Sequence, residues 1–291
     1  MRKFEAPLFG GQKGNKQPLF ENSEPLPVIT PTSLGALPWL VAFTTQAPRD
    51  FAAPQDSLTK SQPSQRHELA HALAPLALTW LSLEHGAHAV SLPAANTTSP
   101  VADAALVVQP GFAAALTTAD CLPLIVACPS HRVAAVIHAG WRGLAAGVIE
   151  NTLDALALHL GELPGDTLVW VGPAIQQAHY EIGPEVRHEL LQSIGVSTAH
   201  FKELSGTTPH RSSLAAEASH TCTGQAKGSP ATRKYLADLP AIATAKLLLK
   251  GIDAESIELY PHSTFSHTCL HSVRRDGTQA GRMATVVGIR V

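Results

Sequence analysis

Three apolar runs follow one another almost without pause near the middle of this 291-residue chain: FAAALTT (112–118), LPLIVAC (122–128) and RVAAVIHA (132–139). Each has the length and content of a strand, and only short turns separate them, so they read as three successive β-strands. WLVAFTT (39–45) reads as an earlier strand, and LTWLSLEHGAHAVSL (78–92) as two short strands around a turn at His85-Gly86. ADAALVVQPG (102–111), DTLVWVGPAI (166–175), SIELYP (256–261) and MATVVGIRV (283–291) supply further strands. Helical spacing marks 65–74, 143–161, 183–194 and a segment starting near Leu239. In 143–161 the stripe is Leu144, Val148, Leu153, Leu156 and Leu160, closed by Gly161. Strands and helices interleave irregularly, which favours a mixed sheet system over a βαβ series. No GxGxxG or GxxxxGK[ST] supports a nucleotide fold of the Rossmann or P-loop kind.

Composition bounds the partners. The net charge is −2, which provides no basic field for nucleic acid or an anionic membrane. No apolar run approaches the ~20 residues of a membrane span. The four cysteines, 121, 128, 222 and 269, form no CxxC pair, a usage that suits a reducing compartment. The first residues lack the apolar core of a signal peptide, so the expected location is the cytoplasm. Residues 1–36, rich in Pro, Gly, Asn and Gln, read as an irregular N-terminal extension. Residues 37–291 read as one domain, with a Ser/Thr/Gly-rich surface insertion at 205–230.

The chemistry concentrates in TTADCLPLIVACPSHRVAAVIHAGWRG (117–143). If 122–128 and 132–138 pair around a turn centred on Ser130, Leu122 opposes His138 and Cys121 opposes Ala139. Cys121 and His138 then meet at the open end of one hairpin. They can share a zinc ion, form a Cys–His nucleophile pair, or be neighbours in an ordinary hairpin. Cys128 has no such partner and reads as a core cysteine. His85, in a turn marked by Gly86, is by default a surface histidine, but as a third ligand it would complete a His₂Cys site with an open position. Asp120 is a candidate for orienting His138 or for general acid–base work, with a structural role in the turn favoured. Arg142 and Gly143, at the expected start of the 143–161 helix, are candidates for holding phosphate. Arg274 and Arg275 could meet phosphate or ribose, or form salt bridges. His262, His267 and His271 read as a polar loop rather than a second metal site.

The motifs HG (85–86), ADAALVVQPG, TTADCLPL (117–124), HAGWRGLAAGVIENTL (138–153), GPAIQQAHYEIG (172–183) and SVRRDGTQAGRMATVVGI (272–289) occur in one order. They resemble the laccase-domain family, the polyphenol-oxidase-like purine nucleoside phosphorylases, over about residues 38–291. The resemblance implies that 37–291 is a catalytic domain with an α+β fold, with mixed β-sheets packed together and helices outside. It also implies a metal held by His85, Cys121 and His138, and activity on purine nucleosides. That activity covers phosphorolysis of adenosine, inosine or methylthioadenosine, and adenosine deamination. Some relatives are linked to peptidoglycan-precursor editing.

The ligand types favour zinc, with copper possible. A multi-copper cluster gathers many histidines, and this chain has no His-x-His. Several family positions differ. Leu83 stands where the family has Gln, TTQAPRDFAAP (44–54) lacks the early glycines, and Gln65-Arg66 replaces Asn-Arg, leaving Arg66 as a substrate-contact candidate. His262-Ser263 replaces Cys-Thr, and His271-Ser272-Val273 replaces Phe-Ser-Tyr. The three ligands persist while substrate-contact motifs change. The expected partners are a nucleoside and phosphate. The rival readings are a hydrolase using Cys121 as nucleophile, a copper-dependent polyphenol oxidase, and a binding module whose metal is structural.

Overall fold

A computed structural model describes residues 26–52, 65–94, 99–204 and 233–291. The expected 205–230 insertion and Cys222 lie outside these residues. The described strands are, in chain order, β1 Val28–Ile29, β2 Leu40–Thr45, β3 Ala77–Trp80, β4 Ala89–Leu92, β5 Ala104–Val107, β6 Phe112–Thr118, β7 Leu122–Cys128, β8 Val133–Ala139, β9 Leu168–Val171, β10 Glu181–Ile182, β11 Phe201–Glu203, β12 Tyr235–Ala237, β13 Ile257–Leu259 and β14 Met283–Ile289. The helices are α1 Thr32–Gly35, α2 Gln65–Ala72, α3 Trp141–Ala146, α4 Val148–Leu160, α5 Pro184–Leu191, α6 Leu239–Leu249 and α7 Val273–Asp276. No helix among the described residues is long and apolar enough to cross a membrane.

The strands form a five-stranded sheet (β1-β2-β14-β6-β3), a six-stranded sheet (β13-β9-β7-β8-β5-β4) and a small sheet (β10-β12-β11). The two large sheets mix parallel and antiparallel pairs and pack face to face. Ala114, Leu116 and Val287 of one sheet meet Ile125, Val136 and Trp170 of the other. The outer face of the six-stranded sheet carries Leu124, Val126, Ala135 and Ile137, covered by α4 through Ile149, Leu153 and Leu156 and by α6 through Ile242 and Leu247. On the opposite side of the molecule, Leu69 of α2 packs on Ala113, Ala115 and Val286. β7 and β8 are therefore covered on both faces and buried along their full length, which explains why both read as apolar runs rather than alternating ones. The α+β class with packed mixed sheets is the one the family resemblance implies.

Two sequence expectations need correction. Residues 26–36 are not irregular: β1 pairs with β2, and α1 is capped by Glu258. The Glu258 carboxylate accepts from the backbone N–H groups of Thr32 (2.8 Å) and Ser33 (2.7 Å) and from the Ser33 hydroxyl (2.6 Å). The two short strands expected around His85-Gly86 are β3 and β4, which join β6 and β5 in different sheets. The helix expected over 143–161 is two helices. Gly147, at φ +85°, ends α3 and begins α4, a left-handed conformation that glycine adopts without a Cβ clash. As expected, α6 begins at Leu239, behind its cap Asp238, and the segment 235–237 before it is strand β12.

One buried charge ties the outer helices together. The Lys246 ammonium on α6 is 1 % exposed and donates to Glu150 on α4 (2.5 Å), to the Ser193 hydroxyl (2.6 Å) and to the Ile194 carbonyl (3.2 Å). Replacing Lys246 by Met leaves the Glu150 carboxylate without its cation, and one of its oxygens is already buried without a hydrogen bond. Removing one partner of a buried pair costs ~3–5 kcal/mol; partial exposure of Glu150 places the expected loss for Lys246→Met at about 2–4 kcal/mol. Urea unfolding measures it, and a loss below ~1 kcal/mol would show that water already solvates the pair.

Candidate metal centre and cavity

The β7–β8 hairpin pairs one residue away from the expected register. Leu122 opposes Ala139, Pro123 opposes His138, and Cys128 opposes Val133. The cause is the turn, in which Pro129–His131 form a 3₁₀ turn and Arg132 adds a left-handed residue at φ +54°. A slip of one residue exchanges the faces of a strand. In the true register Pro123 and His138 sit on the side facing the other large sheet, and Cys121, two residues before Pro123, continues along that side. The expected register had put Cys121 and His138 on alternate faces.

His85 reaches the same point from the turn after β3. It adopts φ +61°, and its fixed position traces to a residue that sequence reasoning passed over. Asp103, fully buried just before β5, accepts from the backbone N–H groups of Glu84 (3.4 Å), His85 (3.0 Å) and Gly86 (2.7 Å). The same carboxylate bonds Nδ1 of His138 at 2.8 Å, and the His138 N–H donates to the Asp103 carbonyl at 2.7 Å. Burial works to raise the pKa of Asp103, but hydrogen bonds from His138, Gly86 and His85 outweigh it and hold the carboxyl below the usual carboxylate range. An ionised Asp103 can only accept, so Nδ1 of His138 carries a proton, and Nε2 is the nitrogen that would bind a metal once it has given up its own proton. The only trace of Asp103 in the sequence is an aspartate inside the apolar run 102–107.

The donor atoms of His85, Cys121 and His138 lie within 4.8 Å of one another, and no other such three-residue group occurs among the described residues. The two imidazoles meet edge to face, with centroids 4.8 Å apart. Burial pushes the Cys121 thiol up, but His138 and His85 outweigh it and bring it down to about 6, so the sulfur is a thiolate at neutral pH. Burial likewise pushes His138 down, and Asp103 and Cys121 outweigh it, raising His138 to about 9. These are metal-free values. A soft thiolate with two imidazoles, one fixed by a carboxylate, fits Zn²⁺ and also fits copper.

Glycines shape the centre. A Cβ on Gly140 would lie 3.0 Å from the Cys121 sulfur and 3.2 Å from Cδ2 of His85. One on Gly143 would lie 3.1 Å from the Gly86 carbonyl. HAGWRG thus packs the start of α3 against the His85-Gly86 turn. Gly140→Ala is expected to weaken metal binding by at least about 10-fold, the scale seen when ligand surroundings are disturbed, with a chelator competition titration as the measurement. Unchanged affinity would mean that the three ligands shift together to make room.

Beside the trio lies a cavity of about 580 Å³ whose wall includes Leu83, Thr118, Asp120, Tyr180, Arg274 and Arg282. Burial and the Cys121 charge push Tyr180 up to about 12, so it remains a neutral phenol. Asp120 does not orient His138. At φ +93° its carboxylate accepts from the Thr264 hydroxyl (2.6 Å) and the Arg274 N–H (2.7 Å), stitching α7 to the β6–β7 corner. Arg274 lines the cavity, while three other candidate arginines stand away from its wall. Arg66 lies over the Trp80 ring and donates to the Phe51 carbonyl. Arg142 is exposed with its guanidinium over Trp141, and α3 is only six residues long. Arg275 is ion-paired to Asp276 and bonded to the carbonyls of Thr264, Phe265, His267 and Leu270. Arg282, absent from the sequence candidates, lines the cavity. His271 bonds the Arg49 carbonyl, away from the paired rings of His262 and His267.

Comparison with known proteins agrees with this architecture. The chain is 32% identical over 213 residues to a purine nucleoside phosphorylase of Pseudomonas aeruginosa, covering 73% of this chain and 74% of the relative. It is 32% identical over 209 residues to purine nucleoside phosphorylase YfiH of Escherichia coli, covering 72% of each. The crystal structure of YlmD from Geobacillus stearothermophilus matches its fold with a TM-score of 0.66 at 19% identity, over 94% of this chain and 100% of that one. A Neisseria meningitidis protein matches with a TM-score of 0.61 at 24% identity, over 87% of this chain and 96% of that one. Residues 60–290 match the model of the multi-copper polyphenol oxidoreductase laccase family, and the chain belongs to that family.

Proposed function

We propose that the chain is a metal-dependent purine nucleoside enzyme that cleaves the bond between base and ribose with phosphate. The observation that carries this reading is the convergence of His85, Cys121 and His138 at the edge of a cavity large enough for a nucleoside. The names of relatives about one-third identical over most of their length support the substrate class. His85, Cys121 and His138 hold the ion, Zn²⁺ by preference of ligand type, with copper as the alternative. When bound, the ion would supply Lewis acidity. The residues around it do the positioning. Asp103 fixes both histidines, and the neutral Tyr180 presents a phenol in the wall. Adenosine, inosine and methylthioadenosine are the candidate substrates for phosphorolysis, and adenosine deamination is a second activity of the same site.

A second reading has one observation in its favour: the low pKa of Cys121 makes it a competent nucleophile beside His138. For a multi-copper oxidase, only one three-ligand cluster is available among the described residues. The test is metal analysis joined to a panel of nucleosides with phosphate. About one zinc per chain is expected, with free purine released only when phosphate is added. A metal-loaded protein that turns over no nucleoside would remove the proposal.

A further inference from the structure

Phosphorolysis requires a place for phosphate, and we propose that Arg274 and Arg282 form it; this inference rests on the phosphorylase reading above. The two arginines lie in the wall of one cavity and approach the same short stretch, 117–121, from different elements. Arg282 immediately precedes β14, whose first residue, Met283, pairs with Thr118 at the end of β6. Arg274 is the second residue of α7, and its N–H is bonded to Asp120, the residue before Cys121. The phosphate would therefore sit beside the metal ligands, within the same cavity as the nucleoside.

Position and charge together separate the two guanidinium groups from the other candidates: Arg66 and Arg142 do not line the cavity, and Arg275 is ion-paired to Asp276. Neither Arg274 nor Arg282 has a carboxylate partner among the described residues. Each is instead anchored by backbone carbonyls. Arg274 Nη1 donates to the Glu181 carbonyl at 2.9 Å, with the guanidinium 5.1 Å from the Tyr180 ring centroid. Arg282 Nη1 donates to the carbonyls of Ala280 (2.8 Å) and Gly281 (3.1 Å). Carbonyl anchoring orients a guanidinium without neutralising it, and it leaves the remaining N–H donors for a tetrahedral oxyanion. Arg275 is the counter-example, with its charge paired to Asp276 and its donors consumed by the loop it holds. The hydroxyl of Thr118, in the same wall, is buried without a protein partner, an unsatisfied group that calls for a ligand or a water. The one carboxylate facing this wall, Asp120, has both oxygens committed.

The reaction balances without a further reactant. A phosphate oxygen forms a bond to C1′ of the ribose while the bond from C1′ to the purine nitrogen breaks. Its electron pair leaves on the base, and the proton given up by phosphate ends on the base. The products are ribose 1-phosphate and free purine.

Arg274→Gln and Arg282→Gln test the assignment in the metal-loaded, full-length protein. Each is expected to raise KM for phosphate about 10- to 100-fold, the scale of losing charge-assisted hydrogen bonds, with KM for the nucleoside moved less than about 3-fold. Arg282→Lys should recover only part of the loss, since lysine restores the charge but not the fork. Titration with inorganic phosphate alone, followed by ³¹P line broadening, gives a readout independent of turnover, and thermal melts check that each variant is folded. Unchanged phosphate affinity in both Gln variants, or a loss confined to Arg142→Gln, overturns the assignment. A wild-type protein that releases no purine with phosphate overturns the phosphorylase reading instead. The phosphate titration then still decides the arginine pair: binding lost in the variants supports it, and equal binding sinks it.

Discussion

Asp103→Asn is expected to lower metal affinity by about 10- to 100-fold and to abolish most activity, although Asp103 touches neither metal nor substrate. The wild-type carboxylate satisfies two sets of donors at once, the N–H groups of residues 84–86 and Nδ1–H of His138. An amide cannot do so. Its oxygen can serve one set, and its NH₂ then faces groups that are themselves donors. His138 must either leave Nδ1–H unpaired in a buried site or move the proton to Nε2. The second choice puts a proton on the nitrogen that should face Cys121 and the ion. The His85 turn loses its anchor at the same time, so two of three ligands are affected by one atom change. Chelator competition measures the affinity, and a thermal melt separates it from general destabilisation, expected at ~1.5–3 kcal/mol for a lost charge-assisted bond. An Asn variant with wild-type metal affinity would show that packing alone orients the histidines.

That dependence on Asp103 also marks the limit of what the sequence discloses. Cys121 and His138 are legible because each stands at the mouth of an apolar hairpin, where a polar side chain has to be accommodated. Their shared face is not legible, because it turns on the left-handed Arg132, a turn residue with no glycine or asparagine to signal it. The apolar runs identify β6, β7, β8 and β14 almost to the residue. Their neighbours are set by long-range pairing: the final strand, β14, lies between β2 and β6 in the interior of its sheet, and no local pattern encodes that. The arginines make the same point. The pair Arg274-Arg275 looks like one basic unit, yet one guanidinium lines the cavity and the other is spent on backbone carbonyls. Arg282 belongs to the closing motif that carries the family resemblance, but nothing local marks it as a residue of the cavity wall. Packing, not composition, decides which charge is available.

Cys121 offers the sharpest separation of ligand from nucleophile. If it is a ligand, Cys121→Ser, His85→Ala and His138→Ala should each lose bound metal and all nucleoside turnover together, because the open coordination position needs the full set. Chelation should then inactivate the wild type, and added zinc should restore it. If it is a nucleophile, chelation should spare activity while alkylation abolishes it. Alkylation itself carries a further expectation. In the metal-free protein the imidazoles of His85 and His138 hold the thiol at about 6 against the opposing effect of burial. A lowered pKa means the reactive thiolate is already formed at pH 7 and is lost as pH falls through about 6. The iodoacetamide rate at Cys121, followed by peptide mass spectrometry, should therefore be flat above pH 7 and fall below it, whereas an unperturbed thiol rises until ~8.5. Zinc should suppress the reaction by occupying the sulfur. A rate that keeps climbing to pH 9, or that zinc leaves untouched, would mean that the two imidazoles do not act on this sulfur, and the three residues would no longer make a metal centre.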